Sequence, residues 1–225
     1  MRFVRKNFNM KMLICKHCMK NKFFLNYTLF WSFWAHLLFI FGMIGYLFMD
    51  ILDYMHSNLF NSFLTNLIYI LLACLFVINA TLQFFVIYYM NKNVQRYYTM
   101  ILSCLFDKIA SHAYLIGAIL TTITSTKVTT IWTLNTIGVC GFVIGATINT
   151  MISAANAMSI WADYFNLLGS LFYLLATIIT RIPLTQLIGI LGDVIYLIDS
   201  ILYMICWFQD RQMIHDQFGQ YVSLK

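Results

Sequence analysis

The chain has 225 residues, 61% of them hydrophobic and only 10% charged, with a net charge of +6; a soluble domain carries about 25% charged residues. At a mean hydropathy of +0.78, a water-soluble globule of this size would lack polar cover for its exterior. That excludes a soluble enzyme, a disordered chain and a disulfide-stapled secreted module, and points to an all-α, polytopic integral membrane bundle.

Residues 1–26 form the first element, a basic tail. Seven of the fourteen Lys and Arg residues lie in the first 22 positions (Arg2, Arg5, Lys6, Lys11, Lys16, Lys20 and Lys22), with no acid among them. Beside an apolar segment, such a run reads as a cytoplasmic stretch attracted to anionic lipid, at about 1 kcal/mol per base. No nucleic-acid motif accompanies it, so no nucleic-acid partner is expected. The tail is Lys-rich and Ser-poor, unlike a mitochondrial address, which favours the plasma membrane or an endomembrane. Within it, Cys15-Lys16-His17-Cys18 is a lone C-x-x-C. Three donors fall short of a four-ligand zinc site, so neither metal nor cofactor is expected. Cys15 and Cys18 are candidates for palmitoylation beside a basic membrane edge; unmodified thiols are the plainer reading.

The apolar pattern then predicts six spans, at about 27–49, 64–89, 110–126, 131–154, 163–182 and 186–208. The first is too long for a signal peptide and long enough for about 30 Å of hydrocarbon. The third is the weakest, bounded at its start by Asp107 and Lys108, with 97–109 expected as an interfacial helix. The Ser125–Thr130 stretch makes spans three and four an antiparallel hairpin. The short link around Pro183, the single proline, does the same for spans five and six and disfavours helix at Ile182. Residues 209–225 form a C-terminal tail.

Base placement orients the bundle. With both termini inside, the inner segments hold the seven N-terminal bases, Lys92, Arg96 and Lys108, and Arg211 and Lys225. The outer loops hold Lys127 and Arg181 alone. The expected topology is N-in, C-in.

The even spans echo one another. Asn79 is followed by Ala80, Asn149 by Thr150 and Asp199 by Ser200, each near mid-membrane. A second pattern places Gly, then i+4, then i+8 on one helix face: Gly42-Tyr46-Asp50, Gly117-Thr121-Ser125, Gly141-Gly145-Asn149, Gly169-Tyr173-Thr177 and Gly192-Tyr196-Ser200. Small residues let membrane helices approach closely and polar ones bond across. A helix-packing face at Gly42, Gly117, Gly141, Gly145, Gly169 and Gly192 is therefore the first expectation, and three repeated hairpins the second.

The last hairpin carries Leu168-Gly169-Ser170-Leu171-Phe172 in one helix and Ile198-Asp199-Ser200-Ile201-Leu202-Tyr203 in the next. It resembles the YrhK-like family of small membrane domains, over residues 163–208. The resemblance implies a two-helix hairpin architecture and no activity.

Catalytic patterns are lacking. Gly189-Ile190-Leu191-Gly192-Asp193 has the wrong spacing for an intramembrane aspartyl protease, and no Tyr-Asp dipeptide supplies the second carboxylate. No nucleophile elbow, Walker loop or dinucleotide fingerprint occurs. The expectation is a non-enzymatic protein of structural or interaction type, open to homo- or hetero-oligomerisation. The alternative is a small transporter or channel subunit. Its candidate polar cluster is Asp199, His36, Asn79 and Asn149, because ionisable groups inside a membrane are costly and tend to mark function. If Asp199 only packs, it should hydrogen-bond Asn79, Asn149 or a tyrosine. Asp193 is expected nearer the outer face, within reach of water.

Overall fold

The computed structural model describes residues 22–56, 59–89, 97–123, 128–152, 157–179 and 182–223. Among them are six α-helices and no strand: α1 Lys22–Tyr54, α2 Ser62–Tyr88, α3 Tyr97–Ile123, α4 Val128–Ile152, α5 Ala157–Ile178 and α6 Ile182–Ser223. Five of them, all but α5, are long and apolar enough to cross a membrane.

Local chemistry sets several helix ends. Asn61 caps α2, its side chain accepting a 2.8 Å bond from the Leu64 amide, which satisfies one of the orphan donors of the first turn. After α1 the chain turns through His56 at a φ of 49°. Helix α6 already starts at Ile182, against the sequence expectation. Pro183 then sits in the first turn, where its missing N–H would have had no partner. The Thr185 hydroxyl reaches back 2.8 Å to the Ile179 carbonyl and ties this start to the preceding turn. Helix α6 also runs on through residues expected as a tail; past Gln209 they hold no proline and a single glycine, Gly219.

The third span differs most. Tyr97–Ile123 is one continuous helix, and no separate interfacial helix covers 97–109. Asp107 and Lys108 do not bound it. They are neighbours about 100° apart on a helix, so one turns toward α4 and the other away. Asp107 lies against Gly145, while the Lys108 ammonium sits 5.2 Å over the Phe84 ring of α2.

Each helix packs on the two that flank it in sequence, and α1 packs on α6, so the six form a closed ring. Trp207 contributes to closure: its ring lies 5.0 Å from Phe33 and its indole N–H donates to the Leu29 carbonyl at 3.1 Å. All neighbours run antiparallel. The turns of α1–α2, α3–α4 and α5–α6 share one end of the ring.

Within hairpins the small residues mark the contacts. Gly42 faces Phe76, Gly117 faces Asn135, Gly141 faces Ala110, Gly145 faces Asp107, Gly169 faces Tyr196 and Gly192 faces Tyr173. Every one of these is the partner helix of the same hairpin. The Ser103 hydroxyl adds a 2.9 Å bond to the Gly145 carbonyl.

The outer surface is apolar. On α6 the exposed residues include Leu184, Leu187, Leu191, Val194, Ile198, Ile201, Ile205 and Phe208, a stripe in steps of three and four. Helix α5 carries the same stripe at Trp161, Tyr164, Leu168, Leu171, Leu175 and Ile178. Its lower hydropathy comes from the other face, with Asp163, Asn166, Ser170 and Tyr173. The bundle is thus apolar outside and polar within, the reverse of a soluble protein.

Candidate functional site

The ring encloses a cavity of about 380 Å³, to which all six helices contribute lining side chains. From α1 come Ser32, His36 and Tyr46; from α2, Asn79 and Gln83; from α3, Cys104, Asp107, Ser111 and Tyr114; from α4, Phe142 and Asn149; from α5, Asp163, Asn166 and Tyr173; from α6, Tyr196 and Tyr203. These residues face inward because they fall on the stripes opposite the apolar surface, at helical spacing.

The groups form layers along the ring axis. At the end holding the α1–α2 turn, the Tyr69 hydroxyl bridges Asp50 and Asp53, at 2.9 and 2.8 Å. Asp50 lies beside Asp193 of α6, and the Tyr173 hydroxyl donates to Asp193. Asp193 is 0% exposed. It therefore does not reach water as its sequence position suggested, because it turns toward Tyr173 inside the last hairpin rather than outward. In the middle layer, Tyr196 and Ser170 share a hydrogen bond of 2.6 Å, and the Tyr196 ring lies 5.6 Å from that of Tyr173.

The third layer lies deeper, toward the start of α1. The His36 ring stacks on Tyr203 at 5.7 Å and 11°, with Ser32 Oγ 3.4 Å from its Nε2. The Tyr203 hydroxyl donates to the Asp163 carboxylate. Asp199 is close enough to Asp163 and Tyr203 to interact with them electrostatically. It is 0% exposed, and no hydrogen-bond partner meets either of its carboxylate oxygens.

Of the four residues singled out in the sequence, His36, Asn79 and Asn149 line this one cavity. Asp199 lies behind the lining, against Asp163. It bonds neither asparagine; the Asn79 carbonyl instead accepts from Gln83 at 3.1 Å. Cys15 and Cys18, with the basic run around them, lie outside the described residues.

Sequence reasoning missed Asp107, Asp163 and the tyrosines that hold the carboxylates. The signal for α3 was present. Ser103, Asp107, Ala110, Tyr114 and Gly117 follow in steps of three and four, a small-and-polar face readable at helical period. Beginning the span at residue 110 cut that face in two.

The arrangement is suited to holding a solute away from lipid. Among the described residues, its lining contains two carboxylates, one imidazole and no Lys or Arg. No group of three or more His, Cys and Asp side chains could hold a metal ion among the described residues. Comparison with protein-family models, with curated proteins and with solved structures finds no match to this chain.

Proposed function

We propose that this chain is a small membrane carrier or channel subunit whose solute chamber is the cavity inside the six-helix ring. The observation that carries the reading is convergence: polar side chains from all six helices meet in one cavity of about 380 Å³. Polar residues that served only to join helices would be used up pairwise at their interfaces. Several are, as in Ser103 to Gly145 and Ser170 to Tyr196, and these bonds favour the second reading, a structural or interaction protein. Asp199, buried with neither oxygen bonded, and the polar groups that all six helices present to one cavity go beyond that need. No catalytic role is part of the proposal.

The membrane arrangement belongs to the same reading. All six helices cross, including α5. Its 22 residues cover about 33 Å at about 1.5 Å per residue, enough for about 30 Å of hydrocarbon. Its outward stripe supports crossing as part of a ring. Both termini lie in the cytoplasm or its equivalent, on the side that collects eleven of the fourteen bases, Lys108 lying within α3. The N-terminal run meets anionic lipid of the plasma membrane or an endomembrane. The α5–α6 hairpin, which resembles YrhK-like domains, is the architectural unit repeated around the ring.

A cysteine test addresses the chamber. Cys104 lines the cavity, whereas Cys140 is exposed on the outer surface. Two variants are made, each keeping one of these as its sole cysteine. In membranes, a charged, water-soluble methanethiosulfonate is expected to label Cys104 and leave Cys140 unlabelled, because lipid excludes the reagent. Cys104 as inert as Cys140, with both labelled after denaturation, would contradict the chamber and favour the structural reading.

A further inference from the structure

We infer that the chamber takes a small organic cation, an alkyl or aryl ammonium, held between carboxylates and tyrosine rings. This deepens the chamber reading and rests on it.

Among the described residues the lining holds Asp107 and Asp163 and no Lys or Arg. A third carboxylate, Asp199, is fully buried behind the lining, near enough to Asp163 to feel its charge, with neither oxygen met by a hydrogen-bond donor. Two carboxylates on the wall of one cavity, with a third buried behind it, oppose an anion by like-charge repulsion. They also give a neutral solute little to gain. A cation compensates the cluster, and its N–H groups would make charge-assisted hydrogen bonds to it.

A bare metal ion needs several oxygen or nitrogen ligands at short, regular distances. No group of three suitable side chains comes together among the described residues. The carboxylates stand instead on different helices, α3 for Asp107 and α5 for Asp163, with aromatic walls between them. Tyr114 pairs with Phe142 at 5.8 Å, and Tyr173 with Tyr196 at 5.6 Å. Aromatic faces attract cations whose charge is spread over carbon-bound hydrogens, the chemistry of ammonium-binding cages. A cavity of about 380 Å³ lies at the small end of ligand pockets, about 300–1,000 Å³, which suits a compact amine.

The probe is phenethylammonium, compared with neutral 2-phenylethanol and anionic 3-phenylpropanoate. The full chain, purified in detergent, is titrated by calorimetry at neutral pH, and each probe is also tested for protection of Cys104 from the thiol reagent. Phenethylammonium is expected to bind about tenfold or more tightly than the alcohol, with no binding of the acid, and to protect Cys104. Asp163→Asn and Asp107→Asn keep side-chain shape and remove charge. Each is expected to weaken amine binding about tenfold and to narrow the preference for amine over alcohol by a similar factor. Should either variant fail to fold, the three-probe comparison on the unaltered chain still decides. Equal binding of amine and alcohol would overturn the inference while leaving the chamber intact. So would Cys104 that labels freely but is never protected by the amine. Cys104 that never labels would instead overturn the chamber reading itself.

Discussion

Replacing Asp199 by leucine is expected to stabilise the protein, and replacing Asp163 by leucine to destabilise it. The two carboxylates are neighbours and both are buried, but their partners differ. Asp163 accepts a hydrogen bond from the Tyr203 hydroxyl. Its loss strands that buried donor, at about 1–3 kcal/mol. Asp199 has no hydrogen-bond partner at either oxygen and stands beside a second carboxylate. An apolar side chain of similar size there removes a buried, unsatisfied polar group, and a gain of about 1–3 kcal/mol is expected. Denaturant unfolding of each variant in detergent measures both. A residue kept at a cost in stability is the usual sign of a site held for function. Equal losses at the two positions would mean that Asp199 is ordinary packing glue.

The second large effect is expected on the α3–α4 hairpin. A Cβ added at Gly141 would lie 3.0 Å from the Ala110 Cβ and 3.1 Å from the Phe106 carbonyl oxygen. The latter is backbone of α3 and cannot turn aside, so the helices must separate. Gly141→Ala is expected to cost about 1–3 kcal/mol, and Gly141→Leu more, as overpacking does. Gly45 provides the comparison. Its added Cβ would meet a methyl group of Leu72, the end of a flexible side chain that can rotate away. Gly45→Ala is expected to change stability by less than about 1 kcal/mol, helped by the better helix propensity of alanine. Thermal unfolding of the two alanine variants checks the order; a costlier change at Gly45 would contradict the packing described.

Helix number and pairing were legible because they depend on apolar periodicity and short links, both local. Pro183 marked the α5–α6 turn correctly, but its place inside the first turn of α6 needed the tolerance of a helix start for proline. The glycines were legible as small residues on one face, though not as contacts made wholly within hairpins. The inward set was only half legible. His36, Asn79 and Asn149 stand out as polar residues in long apolar runs. Asp107 does not, since the adjacent Lys108 makes the pair look like a boundary; only ring geometry turns one residue to the cavity and the other over Phe84. Asp163 lies near the start of its span, where a charge needs no explanation. Its contact with Tyr203, forty residues away, is set by the antiparallel pairing of α5 and α6. Ring closure by Trp207 and Leu29 joins the two ends of the chain, and no local pattern encodes it.

Everything proposed for the cavity depends on α5 crossing the membrane with the other five helices. Without it the ring is open, and Asp163, Asn166, Ser170 and Tyr173 leave the enclosed face. Counting the crossings is therefore the most direct test. Epitope tags at residues 1 and 225, in sealed and oriented membrane vesicles, are exposed to protease with and without detergent. Six crossings put both tags on one side, the cytoplasmic one, so that both are cut or both protected until detergent is added. One tag cut and the other protected would mean an odd number of crossings, and would contradict the six-helix ring as a membrane chamber.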